Sequence, residues 1–262
     1  MIIAMLFFFF IASMAIAGYY SKSLSRSGTV AAIIVGCAVY SGFEMKGLLL
    51  LGIFFASSSY WSKYKSALKM KMEEKLAKGA TRDWRQVLAN GGAAALYSVL
   101  YFYQPSPLFI VGFTAALASA NSDTWASEIG SLSKQNPLYI RTWKRVEKGT
   151  SGAVSGLGTV AAILGSLLIA LMSILVFNLP LLLGWVIFLS GYLGNVIDTL
   201  IGAYYQQLYV CQNCGIKTEK TVHCGLPAVR IKGISCVDND MVNFLSGAFA
   251  SLLAIFFYFQ IQ

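Results

Sequence analysis

Long apolar runs separated by short polar stretches set the pattern of this chain. A membrane-spanning helix needs about 20 mostly apolar residues, with roughly 17 as the lower limit. On that measure spans fall at 2–18, 28–44, 46–61, 87–104, 107–122, 152–178, 180–206 and 241–260. Turn formers separate several of them, at Ser41 and Gly42, Pro105 and Pro107, and Asn178 and Pro180. The second and third runs are short and predict a re-entrant segment or a tightly paired hairpin. The expected fold is all-α: a polytopic transmembrane bundle of about eight spans. It forms a single integral membrane domain over 1–262, with a cytoplasmic loop at 207–240 between the last two spans. The first run, "MIIAMLFFFFIASMAIAG", carries small residues at Ala15 and Ala17, as a cleavable leader would. It lacks a basic segment ahead of the apolar one, so it reads as a retained helix.

Basic residues orient the bundle. Lys22 and Arg26 follow the first span, and a dense set from Lys63 to Arg85 follows the third. Lys134, Arg141, Lys144, Arg145 and Lys148 follow the fifth, and Lys217, Lys220, Arg230 and Lys232 follow the seventh. The alternate loops carry only Lys46. Cytoplasmic loops collect Lys and Arg, so the pattern predicts both termini outside and a multi-pass protein of the cell membrane. The basic stretch 62–85 reads as an amphipathic helix lying on solvent or lipid headgroups.

Composition agrees. The chain is 57% hydrophobic and 12% charged, against about 25% charged in soluble domains. Its net charge of +9 records topology, a site for anions, or both. Nucleic acid is disfavoured as a partner, because the basic residues belong to no soluble domain.

The conspicuous polar motifs all fall at expected cytoplasmic helix ends. They are "RDWRQVLANGG", "NSDTWASEIG", "KGTSGAVSGLGT", "GNVIDTLIGAYYQ" and "DNDMVNFLSG". Asp123 and Asp198 sit in an echo, "SDTWASEIG" and "IDTLIGA". An ionised Asp toward the bilayer interior costs about 2.5–3.5 kcal/mol on insertion scales, so each needs a partner or a wet cavity. Either they pair with loop lysines or they bind magnesium, which takes one or two carboxylates and leaves other positions to water and phosphate. Gly191, Gly194, Asn195, Asp198 and Gly202 share one helical face. Asn121 aligns with Glu128, while Asp123 and Glu128 point about 140° apart on a regular helix. Glu128 would then orient another ligand, or the helix would unwind before Gly130. Lys148, Gly149, Thr150, Ser151, Gly152 and Ser155 open the sixth span. A glycine-rich helix start with free N–H groups suits phosphate, although the order is not that of a P-loop. Arg82 and Arg85 lie beside Asn90 at another helix start.

In "CQNCGIKTEKTVHCG", Cys211, Cys214, His223 and Cys224 supply the four soft ligands of a structural zinc site, or remain free thiols. A disulfide is disfavoured in a cytoplasmic loop. The single histidine of the chain is spent here. Cys37 lies within a span and packs; Cys236 has no evident partner.

Five ordered motifs, "RxxRQVLANGG", "SDTxASEIG", "KGTxGAVSxxGT", "GxxGxxIDxxxGA" and "NDMVNF", resemble those of an integral-membrane family. That family contains plant phytyl-phosphate kinase and many uncharacterised bacterial members, and is distantly similar to CTP-dependent phytol and dolichol kinases. The likeness runs from about Ala80 to Ser251. It implies phosphoryl transfer from a nucleoside triphosphate to an isoprenoid monophosphate at the cytoplasmic face of the bilayer. By motif, Asp123, Glu128, Asp198 and Asp240 become candidate magnesium or supporting acidic groups. Lys148, Arg82, Arg85 and Arg141 become candidate phosphate clamps, and Asn90, Asn121, Asn195, Asn239 and Asn243 candidate polar contacts. The alternative is a transporter of a small anionic metabolite, which would place charges near the bilayer midplane.

Overall fold

A computed structural model describes residues 2–64 and 76–261, with side chains from residue 5 onward. Of the basic stretch expected as a helix over 62–85, residues 65–75 lie outside the described residues, and 76–83 is not helical. The described residues form seven helices: α1 Ile2–Tyr20, α2 Arg26–Lys63, α3 Trp84–Tyr103, α4 Pro107–Gly130, α5 Gly156–Phe177, α6 Leu181–Tyr204 and α7 Asn239–Gln260. Four of them, α2, α5, α6 and α7, are long and apolar enough to cross a membrane, and the apolar part of α1 is shorter.

Local chemistry explains the boundaries. Asp83 and Gln86 close a capping box at the start of α3. Ser106 caps α4, with Pro107 in its first turn. Ser155 accepts from the Gly158 N–H to start α5, and Asn178 in the left-handed region (φ 52°) ends it. Asp238 accepts from the Met241 N–H to start α7.

Helix α2 joins the two short runs at 28–44 and 46–61 and is non-helical at Glu44 (φ 50°, ψ −139°). A Cβ on Gly47 would sit 2.7 Å from both Val39 Cγ1 and Phe43 Cβ. Residues eight apart on a straight helix are about 12 Å apart, so the chain folds back at Glu44. The tip packs Phe43 on Tyr101, Phe113 and Phe177. The free ends of the two arms lie at the other end of the bundle, where Ser59 accepts from Arg82. The hairpin form of the two expectations is the one the structure adopts.

Helix α4 is the centre. It is buried continuously from Val111 to Ser122 and packs on α2, α3, α5, α6 and α7. Its small residues permit close approach: a Cβ on Gly194 of α6 would fall 2.2 Å from Ser119 Oγ. The outer surface is apolar, with Phe9, Leu164, Leu175, Leu182, Trp185, Leu252 and Phe256 exposed, as lipid contact requires.

The loops between helices add short strands that the all-α expectation lacked. Leu138–Tyr139 (β1), Lys144–Arg145 (β2) and Ala153–Val154 (β3) form one small sheet in the order β2-β1-β3. After α6, Leu208–Val210 (β4) pairs with Lys217–Thr218 (β5) and Val229–Lys232 (β8), while Val222–His223 (β6) pairs with Leu226–Pro227 (β7). Two-residue pairings of this kind leave little periodic signal in sequence.

Candidate functional site

At the end of the bundle that carries these loops, a cavity of about 340 Å³ opens between the helix ends. Its wall includes Asp123, Glu128, Asp198, Glu219 and Asp240 together with Lys78, Arg82 and Lys148. Acidic and basic side chains thus share the wall of one chamber, while the sides of the same helices are apolar.

Asp123 and Asp198 stand at its floor. Helix α4 stays regular through Gly130 instead of unwinding, and α6 presents Asp198 from the facing side. The two carboxyl groups lie within hydrogen-bonding reach of each other. Asn195 Nδ2 donates to Asp123 Oδ1 at 3.1 Å, and Ser246 Oγ donates to Asp198 Oδ2 at 3.2 Å. Asp240 Oδ2 pairs with Lys78 at 2.5 Å, whereas its Oδ1 is buried and has no hydrogen-bond partner among the described residues. Two carboxyl groups that face each other in this way attract a cation to lie between them. The donor set is all oxygen, the choice of a hard divalent ion such as magnesium.

The cationic side is built from loops. Arg82 is held by backbone bonds to the turn after α1, Ser25 N–H to Arg82 C=O at 2.9 Å and Arg82 N–H to Ser23 C=O at 3.0 Å. Its guanidinium donates to Ser59 Oγ at 2.9 Å. Burial pulls the Arg82 guanidinium below its usual value, and Glu128 opposes this. Lys148 donates to the Ser133 carbonyl, which leaves ammonium donors for a ligand.

The glycine-rich stretch departs from expectation. Helix α5 begins at Gly156, so Lys148 to Gly152 form a turn before it instead of its first turn. Gly149 and Gly152 both have φ of +82°, which stops the helix from extending backward. A Cβ on Gly152 would lie 2.4 Å from Ala203, so the turn lies flat on the end of α6. The residues still line the cavity, but as a loop.

Of the other residues singled out in the sequence, Asn90, Thr150, Ser151, Ser155, Asn195, Asn239 and Asn243 line the cavity as well. Three lie off its wall. Asn121 is fully buried in the helix packing, accepting from Ser57 and Ser58 and donating to the Gly165 carbonyl. Arg85 pairs with Asp238 at 2.6 Å. Arg141 lies over the Tyr204 ring, 5.3 Å from its centroid.

Lys78 and Glu219 were not singled out. Each looks like one more solvated loop charge in its own stretch, and only the fold brings them to the wall. Gln206 Nε2 donates to Glu219 Oε1 at 2.8 Å. Burial pushes the Glu219 carboxyl up to about 7, against the Ala77 N–H, the Gln206 amide and the nearby Lys232.

The cysteine cluster lies in the loop after α6. The ligand atoms of Cys211, Cys214, His223 and Cys224 all fall within 4.8 Å of one another.

A family model described as "Integral membrane protein DUF92" matches residues 5–251. The chain is 31% identical to Protein PGR of Arabidopsis thaliana over 90% of its own length and 89% of that protein. It is 32% identical to an uncharacterized membrane protein of Methanocaldococcus jannaschii, covering 80% of this chain and 87% of the other. It is 27% identical to the chloroplastic Protein VTE6 of Arabidopsis thaliana over 88% of this chain but 64% of that protein. No solved structure matches it.

Proposed function

Because the chain belongs to the integral membrane protein family DUF92, whose members include plant phytyl-phosphate kinase, we propose that it is a membrane-embedded isoprenoid-phosphate kinase. In this reading it transfers the terminal phosphoryl group of a nucleoside triphosphate, CTP or a similar one, to an isoprenoid monophosphate. The supporting observation is the meeting of four helix-borne carboxylates, Asp123, Glu128, Asp198 and Asp240, with Lys78, Arg82 and Lys148 in one cavity at the loop end of an apolar bundle.

Phosphoryl transfer asks for positioning and charge neutralisation more than for covalent chemistry. An oxygen of the acceptor monophosphate forms a bond to the terminal phosphorus of the donor, and the bond from that phosphorus to the nucleoside diphosphate breaks. The acceptor is already anionic, so no general base is required, consistent with the lone histidine sitting in the cysteine cluster. Asp123 and Asp198 would hold magnesium, with the unpartnered Asp240 Oδ1 as a further oxygen on the same wall. Magnesium bound there would supply charge neutralisation at the donor's phosphate oxygens. Asn195 and Ser246 fix the two carboxylates. Lys148 and Arg82 supply directed cationic donors to phosphate oxygens. The turn from Lys148 to Gly152, with no side chain at Gly149 and Gly152, would let the backbone approach a phosphate.

The reading carries a topology. The arms of α2 on either side of Glu44 are each about 27 Å long at 1.5 Å per residue, close to the roughly 30 Å hydrocarbon thickness. With both arms crossing, the chain spans the cell membrane eight times, places both termini outside and turns the cavity to the cytoplasm, where nucleotides are. A transporter would need its charges near mid-bilayer; here the ionisable cavity residues crowd one end. The test is magnesium- and triphosphate-dependent conversion of prenyl monophosphates to diphosphates by the purified protein.

A further inference from the structure

The loop between α6 and α7 contains two tight turns that face each other. In the first, Gly215 (φ +72°) donates its N–H to the Cys211 carbonyl at 2.9 Å, which turns Cys211 and Cys214 to one side. In the second, Cys224 (φ 52°) and Gly225 (φ +74°) follow His223 at the tip of the β6-β7 hairpin. Cys214 Sγ lies 3.8 Å from Cys224 Sγ and 3.5 Å from His223 Nδ1, and Cys224 Sγ lies 3.2 Å from His223 Nδ1.

The 3.8 Å and 3.5 Å separations match edges of a coordination polyhedron, and Cys211 Sγ lies within 4.8 Å of the other three ligand atoms. A tetrahedral zinc ion sits about 2.3 Å from sulfur and about 2.0–2.1 Å from nitrogen, which sets edges of about 3.8 Å between sulfurs and about 3.5 Å between sulfur and nitrogen. A disulfide would need sulfurs about 2.05 Å apart. Three thiolates and one imidazole are soft donors that select zinc over magnesium or calcium. Four protein ligands close the shell, as in a structural site.

The two ligand pairs bracket a short segment, Lys217 to Thr221, and Glu219 is its middle residue. Glu219 lines the cavity, accepting from Gln206 Nε2 at 2.8 Å and from the Ala77 N–H at 3.4 Å. Gln206 is almost fully buried, and its Oε1 accepts from Ser151 Oγ at 2.5 Å. A short stretch of chain thus leads from the cysteine cluster to Glu219, and from there hydrogen bonds run through Gln206 to Ser151 in the glycine-rich turn.

We infer that Cys211, Cys214, His223 and Cys224 form a structural zinc site whose task is to hold Glu219 at the wall of the cavity. The zinc assignment stands on its own; the task assigned to Glu219 rests on the cavity being the active site. The sequence places the cluster in a cytoplasmic loop, and the fold brings Glu219 of that loop to the cavity wall.

The test uses the full-length protein, purified in lipid without chelator. It should carry about one zinc per chain, and protein grown on cobalt(II) should show the intense visible bands of a tetrahedral thiolate complex. Cys214→Ser combined with Cys224→Ser should abolish both. Amide hydrogen exchange is then compared before and after zinc is removed. Exchange should rise in 217–221 and at 76–78, while α4 and α6 stay protected. Absence of zinc together with absence of the cobalt bands would overturn the metal site. Zinc that can be removed with no change in exchange at 217–221 and 76–78 would overturn its role in holding Glu219. Neither readout depends on phosphoryl transfer, so failure of the kinase reading would leave both results standing.

Discussion

Asp123 and Asp198 belong to different helices, and their carboxyl groups lie within hydrogen-bonding reach of each other at the floor of one cavity. If they share magnesium, Asp123→Asn or Asp198→Asn keeps the size of the side chain and one oxygen that can accept from Asn195 or Ser246, but removes the charge that attracts the ion. Either change should lower activity by about two orders of magnitude or more, as loss of one preorganised electrostatic partner does. Folded yield should stay near wild type, because removing an intramembrane charge does not itself destabilise a helix. Full activity in either variant would assign that residue to packing. Glu128→Gln should cost less if Glu128, which lines the same wall as Arg82 and bears on its charge, serves mainly to support Arg82.

Lys148→Ala and Arg82→Ala should each lower kcat/KM by roughly 10- to 100-fold, the worth of a charge-assisted hydrogen bond of ~1.5–3 kcal/mol. Arg141→Ala provides the contrast. Arg141 is exposed on the Tyr204 ring, off the cavity wall, so its loss should leave kinetics within a few-fold of wild type. Equal losses in all three variants would point to a diffuse basic surface instead of two specific clamps.

Glu219 gives a pH signature. Its carboxyl is raised from the ordinary 4.5 to about 7 by burial. The native state therefore holds a proton that the unfolded chain releases near 4.5, and stability must fall as pH rises from about 4.5 to about 7. Glu219→Gln removes that proton from the balance. Melting temperatures of the two proteins should converge at low pH, and the variant should be the more stable at pH above about 7. Parallel pH profiles would mean that Glu219 is solvated and not held at the wall.

Sidedness is tested by labelling. A cysteine replacing Gln104, which ends α3 at the end opposite the cavity, should react with an impermeant thiol reagent from outside intact cells. A cysteine replacing Lys144 in β2 should not. Reversed labelling would put the cavity outside, away from nucleotides.

The bundle was legible because its signals are strong: long apolar runs, proline and asparagine at the breaks, and lysines on every second loop. The motif residues of α4, α6 and α7 could be grouped in advance because each sits at the helix end that adjoins a basic loop: the C-terminal ends of α4 and α6 and the N-terminal end of α7. The missing parts share a cause. Lys78 and Glu219 have no periodic context, and their place depends on strands of two to four residues that no pattern announces. Asn121 misled for the opposite reason. A polar side chain inside a span suggests a site, yet its amide satisfies a carbonyl and two serines in the packing between helices. The start of α5 was placed four residues early because apolar content alone cannot show that Gly149 and Gly152 take the left-handed conformation.

The most direct test is the reaction. Purified protein in lipid is supplied with magnesium, a prenyl monophosphate and, in turn, each nucleoside triphosphate, and the diphosphate product is measured. The account predicts conversion that depends on both magnesium and one or more of the triphosphates, and that is lost in Asp123→Asn and Asp198→Asn. No conversion by folded wild-type protein, across nucleotides and prenyl chain lengths, would contradict it.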